Sequence, residues 1–128
     1  MVLTAEVGLR AYAAMMNTLD VSKVEPLLAD EFHYASQFVL CEIESRVDYL
    51  TYITHKLQTV TVSGNRVWAE MGWLDSGYPG PCVVLAQGEK DALVGLVVAK
   101  VSDGKIERLD LCAVPTPQSA RRSGEYPA

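Results

Sequence analysis

The sequence has few basic residues, few cysteines and no long apolar run, and each shortage argues against a class of protein. Eleven lysines and arginines stand against sixteen acidic residues, which gives a formal net charge of −5, and the basic residues do not cluster. Because nucleic-acid binding depends on basic side chains that displace counterions from phosphates, we expect no nucleic-acid partner. The apolar runs fall short of the roughly 20 residues that cross a bilayer, so we also expect no membrane partner.

The cysteines are too few and too far apart for a disulfide framework or a zinc site. Cys41, Cys82 and Cys112 are odd in number and lie in largely apolar sequence, which predicts reduced thiols in the core. Residues 1–5 lack the basic start and apolar stretch of a secretory signal, so we expect a cytoplasmic protein. Neither a glycine-rich phosphate loop nor a nucleotide fingerprint is present, and we expect no cofactor.

A helical period dominates the first half of the chain. After Thr4, apolar residues recur at steps of three and four, which predicts a first helix that ends near residues 17–20. A short stripe over 24–28 predicts a second helix. Ser45 and Asp48 have the spacing of a helix start and predict a third helix that ends near Gln58.

The remaining segments have the composition of strands. Residues 32–43 predict a short strand pair around Ser36 and Gln37, and turn residues then separate four longer strands, predicted at 66–74, 81–87, 91–102 and 105–114. The predicted fold class is α+β, with a curved antiparallel sheet wrapped over three N-terminal helices. We predict one domain over 1–115 and a proline-rich tail over 116–128, docked through Tyr126 on a dimer partner or across a pocket mouth.

This order of elements resembles the nuclear-transport-factor-2-like (NTF2-like) superfamily, which includes ketosteroid isomerases, SnoaL-type polyketide cyclases, limonene-epoxide hydrolases and scytalone dehydratases. The resemblance covers about residues 5–114 and rests on structural positions, namely the end of helix one, the Leu-Leu-Ala-Asp-Glu-Phe run at 27–32, the helix start at Ser45 and the turn at 103–106. It implies a cone with a pocket between the concave sheet face and the helices, and often a dimer through the outer face.

The resemblance to ketosteroid isomerases does not carry over to their catalytic groups. It places Ser36 where the family has the acid that abstracts the substrate proton, and Val97 where it has a second oxyanion acid. A serine hydroxyl cannot act as that base. Tyr12 matches the tyrosine that donates a hydrogen bond to the substrate oxygen, so binding is expected but isomerase chemistry is not.

We therefore predict a largely apolar pocket for a hydrophobic small molecule. The predicted ligand-binding residues are Tyr12, Tyr34, Ser36, Phe38, Trp73, Cys82, Val97 and Leu109. Strand alternation adds Val84, Ala86, Leu93 and Leu111 to the predicted concave face.

Two other functions remain open. Glu42 and Glu70 lie in apolar strand sequence, and a desolvated carboxylate there would have a raised pKa and could serve an acid/base enzyme of the cyclase or epoxide-hydrolase kind. Alternation also allows the opposite orientation, and it places Glu70 with Trp68, away from Trp73. The other function is protein interaction through the outer sheet face and the tail.

The outer sheet face is also the predicted interface of a homodimer. Its alternating apolar residues are left without a helix to cover them. They are Val83, Leu85, Val94, Leu96 and Val98. The two histidines, His33 and His55, have no partner at metal-ligand spacing, so we predict structural roles for them and no metal site.

Overall fold

The computed structural model describes residues 2–77 and 79–128, with all side chains in those ranges except Leu40 and Cys41. The prediction of a core thiol at Cys41 therefore lies outside the described residues. The described chain has two α-helices, α1 (Ala5–Thr18) and α2 (Arg46–Ser63). Its strands are β1 (Leu28–Ser36), β2 (Val39–Ile43), β3 (Val67–Leu74), β4 (Gly80–Gln87), β5 (Leu93–Ser102), β6 (Lys105–Cys112) and β7 (Arg121–Arg122).

Both α-helices begin where their capping residues predict. The Thr4 hydroxyl accepts a hydrogen bond from the Val7 backbone N–H at 3.2 Å, and the Ser45 hydroxyl accepts one from Asp48 at 3.1 Å. α2 continues past the predicted end near Gln58 and stops at Gly64, whose φ of 69° is a conformation that glycine adopts without strain. The predicted middle helix is a pair of 3-10 turns, Val21–Lys23 and Glu25–Leu27.

The strands form one mixed sheet in the order β2-β1-β6-β5-β4-β3-β7. Each neighbouring pair is antiparallel except β1 and β6, which run parallel with Tyr34 opposite Leu109. The α+β fold with a curved sheet over the helices is confirmed, and the parallel pair is a correction to the fully antiparallel sheet. Among the described residues, no helix has the length and hydropathy to cross a membrane.

The sheet has an apolar cluster on each face. The inner face packs on the helices and buries Val83, Leu85, Val97 and Leu109 together with residues of α1 and α2. A second cluster, which we call the outer cluster, contains Leu74, Cys82, Val84, Leu96 and Cys112.

The predicted orientation of β4 is wrong by one residue. Cys82 and Val84 were expected on the concave face and lie in the outer cluster, and Ala86 lies on the same side, opposite Trp68. Leu93 pairs with Ala86 beyond a bulge and packs on the outer cluster, whereas Leu111 packs on the inner core as predicted. Because β4 is apolar at almost every position, a period of two cannot distinguish its faces.

Residues 116–128, which we call the C-terminal segment, dock on the protein's own sheet. Pro117 is buried, Ala120 packs on the outer cluster, and β7 pairs with β3 through Arg122 opposite Gly72. The prediction that this segment docks is confirmed, but it lies on the edge and outer face of its own sheet rather than on a partner or a pocket mouth.

The surface predicted for the homodimer is not continuous. Val83 and Leu85 face the helices, and Leu96 is buried in the outer cluster. The homodimer itself stays a prediction.

Candidate functional site

Four tyrosines meet between the helices and β1, and we call them the tyrosine cluster. Tyr12 comes from α1, Tyr34 from β1, and Tyr49 and Tyr52 from α2. The ring centroid of Tyr34 lies 5.2 Å from that of Tyr49 and 5.6 Å from that of Tyr52. Phe32 completes the packing, with its ring 4.8 Å from Tyr49.

The tyrosine cluster extends from the core to the surface. Tyr12, Tyr34 and Tyr49 are buried, whereas Tyr52 is 36% exposed. The Lys56 ammonium lies 5.9 Å from the Tyr52 ring centroid, within the range of a cation–π interaction. Tyr52 and Lys56 therefore mark the side from which a ligand would approach the cluster.

Burial keeps the phenol groups of the cluster protonated. It raises the pKa of Tyr12, Tyr34 and Tyr49 well above the usual tyrosine range, and neighbouring phenols add to the effect. Ser36 acts on Tyr34 in the opposite direction, so its side chain also belongs to this environment. At neutral pH these hydroxyls are hydrogen-bond donors rather than phenolates.

The Tyr49 hydroxyl is the exceptional group of the cluster. It is buried and has no hydrogen-bond partner among the described residues. An unsatisfied buried polar group costs about 1–3 kcal/mol, and nearly all such groups in folded proteins are paired. The hydroxyl is therefore a donor without an acceptor.

Three other predicted ligand-binding residues lie close to the cluster or border it. Val97 and Leu109 share the inner core with Tyr12 and Tyr34. Ser36 ends β1, is 8% exposed, and its hydroxyl accepts a hydrogen bond from the Phe38 backbone N–H at 3.2 Å.

The remaining predicted ligand-binding residues lie apart from the cluster. Phe38 is 57% exposed. Its ring lies close to Gly95, where an added Cβ would be 3.4 Å from the ring. Trp73 is exposed on β3, opposite Arg121 of β7. Cys82 lies on the opposite sheet face, where burial raises the pKa of its thiol to about 11.

Tyr49 and Tyr52 were not predicted as site residues. The apolar stripe of α2 was assigned to Val47, Leu50, Ile53 and Leu57, but Val47 is 69% exposed and Tyr49 is buried beside Ile53 and Leu57. Two tyrosines three positions apart on a helix face the same side, and that spacing was the available signal.

Glu42 belongs to a row of charged side chains on the outer sheet face. Its carboxylate receives a hydrogen bond from the Arg108 guanidinium and lies 3.1 Å from His33 Nδ1, while Arg108 Nε also bonds Asp110 at 2.9 Å. The hydrogen bond with His33, followed by that from Arg108, lowers the pKa of Glu42. This is the reverse of the shift that a buried general acid requires.

We expect Glu42→Gln to flatten the loss of stability in acid. A depressed folded-state pKa contributes stability above the unfolded value, and that contribution disappears as pH falls through the folded value. Urea unfolding of both proteins between about pH 3 and about pH 6 measures the effect, because carboxylates titrate in that range. Identical slopes of unfolding free energy against pH would contradict the assignment.

Glu70 lies on the outer face, as its alternation with Trp68 predicts. It is 3% exposed, and both carboxylate oxygens are used: Oε1 lies 2.7 Å from Arg122 Nε, and Oε2 accepts a hydrogen bond from Gly124 at 2.7 Å. Neither acid of the alternative enzyme prediction therefore reaches the tyrosine cluster.

Three grooves cross the surface of the described chain. One of about 1310 Å³ lies over Asp30, His33, Lys100 and Arg108, and one of about 570 Å³ borders it and includes Ser36. A third, of about 340 Å³, lies beside α2. None of these three grooves is lined by Tyr12, Tyr34 or Tyr49.

The comparisons with known proteins agree with this architecture. No protein-family model matches the sequence, and no curated protein matches it. A SnoaL-like protein of unknown function from Burkholderia thailandensis has a TM-score of 0.61 at 13% identity, covering 97% of this chain and 100% of its own. A candidate ketosteroid isomerase from Kribbella flavida has a TM-score of 0.59 at 18% identity, covering 84% and 75%.

An NTF2-like protein of unknown function from Cytophaga hutchinsonii has a TM-score of 0.58 at 10% identity, covering 90% of this chain and 96% of its own. The protein is therefore an α+β cone of the kind that these structures share. Its fold is NTF2-like, as the resemblance implied, and at these identities the likeness establishes the fold alone.

Proposed function

We propose that this protein binds a hydrophobic small molecule that carries a hydrogen-bond acceptor, and that it does so at the tyrosine cluster. The observation that carries the proposal is the buried, unpartnered hydroxyl of Tyr49. A ligand carbonyl or ether oxygen would accept from that hydroxyl and offset the cost of its burial.

The chemistry of the cluster selects the ligand class. Burial raises the pKa of Tyr12 and Tyr49 further above neutral pH, so their hydroxyls offer donors to a neutral acceptor. Phe32 packs against Tyr49, Leu109 lies opposite Tyr34 in the sheet, and Val97 belongs to the same apolar core. Ligand sites of this kind combine apolar walls with a few polar groups that fix orientation.

One fold neighbour is named for a ligand that has an acceptor on an apolar skeleton. The Kribbella flavida protein is named for the isomerisation of a ketosteroid, which has such a structure. Binding fits the present chain better than acid/base catalysis by Glu42 or Glu70, because both carboxylates lie on the other face of the sheet.

Two probes that differ by one oxygen test the proposal. We expect 1-tetralone, which has a ketone, to bind about fivefold more tightly than tetralin, which has the same carbon skeleton without it. The Tyr49→Phe variant removes the donor and should lose the preference for the ketone, because a buried ketone without a donor gains nothing over the hydrocarbon. Titration calorimetry or the rise in melting temperature with probe concentration measures the ratio.

The matched control removes a hydroxyl from the other side of the sheet. Tyr126 packs against Trp68 in the C-terminal segment, so Tyr126→Phe should keep the wild-type preference for the ketone. Equal binding of the two probes to the wild-type protein, or a preference that survives in Tyr49→Phe, would exclude Tyr49 as the donor.

A further inference from the structure

The C-terminal segment is held by the β3 edge in the way that a strand-adding peptide is bound. The Ser123 N–H donates to the Met71 carbonyl at 3.1 Å, and the Met71 N–H donates to the Glu125 carbonyl at 2.9 Å. Next to them, Arg122 lies opposite Gly72 in antiparallel register. In strand addition the backbone bonds supply affinity, and side-chain sockets along the edge supply specificity.

Arg122 occupies the first socket. Its Nε lies 2.7 Å from Glu70 Oε1, and Glu70 is almost fully buried at that point. The two terminal nitrogens of the same guanidinium reach the Asp91 carboxylate and the Lys90 carbonyl, each at 3.0 Å. A planar fork that satisfies three acceptors is a specific arrangement, since a lysine ammonium would not match its geometry.

Tyr126 occupies the second socket, four residues further along the segment. Its ring meets Trp68 edge to face at a centroid distance of 5.9 Å, and the Lys90 ammonium lies 4.6 Å from the Tyr126 ring centroid. Trp68 and Glu70 are alternate residues of β3 and so point to the same face. The β3 edge thus has an acidic and an aromatic socket on one side.

Asn17 and Gly72 help to position the C-terminal segment along the β3 edge. The Asn17 amide bonds both the N–H and the carbonyl of Ala69 at 2.8 Å and donates to the Pro127 carbonyl at 2.7 Å, which completes the ladder at that end. A Cβ at Gly72 would lie 3.1 Å from the Arg121 carbonyl, so glycine allows the segment's backbone to approach. Together these groups form the β3-edge site.

We propose that the β3-edge site is a peptide-recognition site and that its partner in trans is the C-terminal segment of a second copy of this chain. Every contact described above is made by residues of 116–128, so the same contacts form when the segment comes from another copy. The segment of the same chain normally prevails because its tether gives it a high effective concentration. Exchange of an identical element between copies follows when that advantage is lost.

Two complementary variants test this in the full-length chain. Arg122→Ala has a defective segment and an intact site, and Glu70→Gln has the reverse. Mixed together, they should form a one-to-one heterodimer in which the segment of the Glu70→Gln chain fills the site of the Arg122→Ala chain. Sedimentation velocity should detect in the mixture a species that sediments faster than either variant alone.

A second pair of variants covers the case in which one of the first pair fails to fold. Tyr126→Ala impairs the segment and Trp68→Ala impairs the site, at the aromatic socket instead of the acidic one. A fluorescein-labelled peptide of residues 116–128 should also bind Arg122→Ala at least tenfold more tightly than it binds the wild-type protein. Mixtures of both folded pairs that sediment no faster than their separate components would overturn the proposal, as would equal binding of the peptide to Arg122→Ala and to the Arg122→Ala/Glu70→Gln double variant.

Discussion

Deletion of residues 117–128 is expected to lower the free energy of unfolding by about 3–5 kcal/mol, the usual cost of disrupting a buried ion pair together with its surroundings. The deletion removes the guanidinium that pairs with Glu70 and both backbone bonds to Met71. It also removes the buried Pro117, and it removes Ala120 from the outer cluster.

Urea denaturation of the truncated and full-length chains measures this loss. Arg121→Ala is the control, because Arg121 pairs with Asp75 at the surface and such exposed pairs contribute about 1 kcal/mol or less. A truncated chain with the midpoint of the full-length protein would show that the segment does not stabilise the domain.

Tyr49→Ala is expected to lower the free energy of unfolding by a similar amount, about 3–5 kcal/mol, because it removes a large ring from a packed core. The ring is fully buried between Phe32 and Tyr34. Tyr49→Phe keeps the ring and removes a hydroxyl that has no partner in the part of the chain that the structure describes. This second change should therefore leave stability unchanged or raise it slightly.

The two substitutions separate the contribution of the ring from that of the hydroxyl. Chemical denaturation of both variants without ligand gives the two values. A loss of about 1 kcal/mol or more in Tyr49→Phe, the size of one net hydrogen bond, would show that the hydroxyl is paired in solution.

Local chemistry explains which parts of this fold could be predicted from sequence. The side chains of Thr4 and Ser45 accept hydrogen bonds from a backbone N–H three residues ahead and so cap the two helices. Because these partners are close in sequence, both helix starts could be predicted from a few residues. The strand boundaries at Leu74 and Ser102 follow from adjacent turn residues in the same way.

The errors arose where the deciding contacts are distant in sequence. Both faces of β4 are covered, one by helices and the other by the outer cluster with Ala120. Because Cys82 and Val83 are both apolar, the sequence does not show which of them faces the helices. The cover over the outer face comes from the C-terminal segment, whose composition gave no indication of its place.

The candidate site was predictable in part. Tyr12 and Tyr34 were predicted and do meet, because a resemblance places one and strand composition the other. Tyr49 was missed because its orientation depends on how α2 rotates against β1, which only packing decides. Alternation favoured the face on which Glu70 lies without deciding it, and its partner Arg122 lies too far along the chain to be recognised.

Folding speed depends on how far apart in sequence the contacting residues lie. β3 to β6 are successive antiparallel neighbours that can assemble as hairpins, whereas β1 reaches β6 only across α2 and four intervening strands. Joining β1 to β6 is therefore expected to limit the rate of refolding. Since Tyr34 lies on β1 and Tyr49 on α2, the aromatic interior would form in that last step, after the meander is already in place.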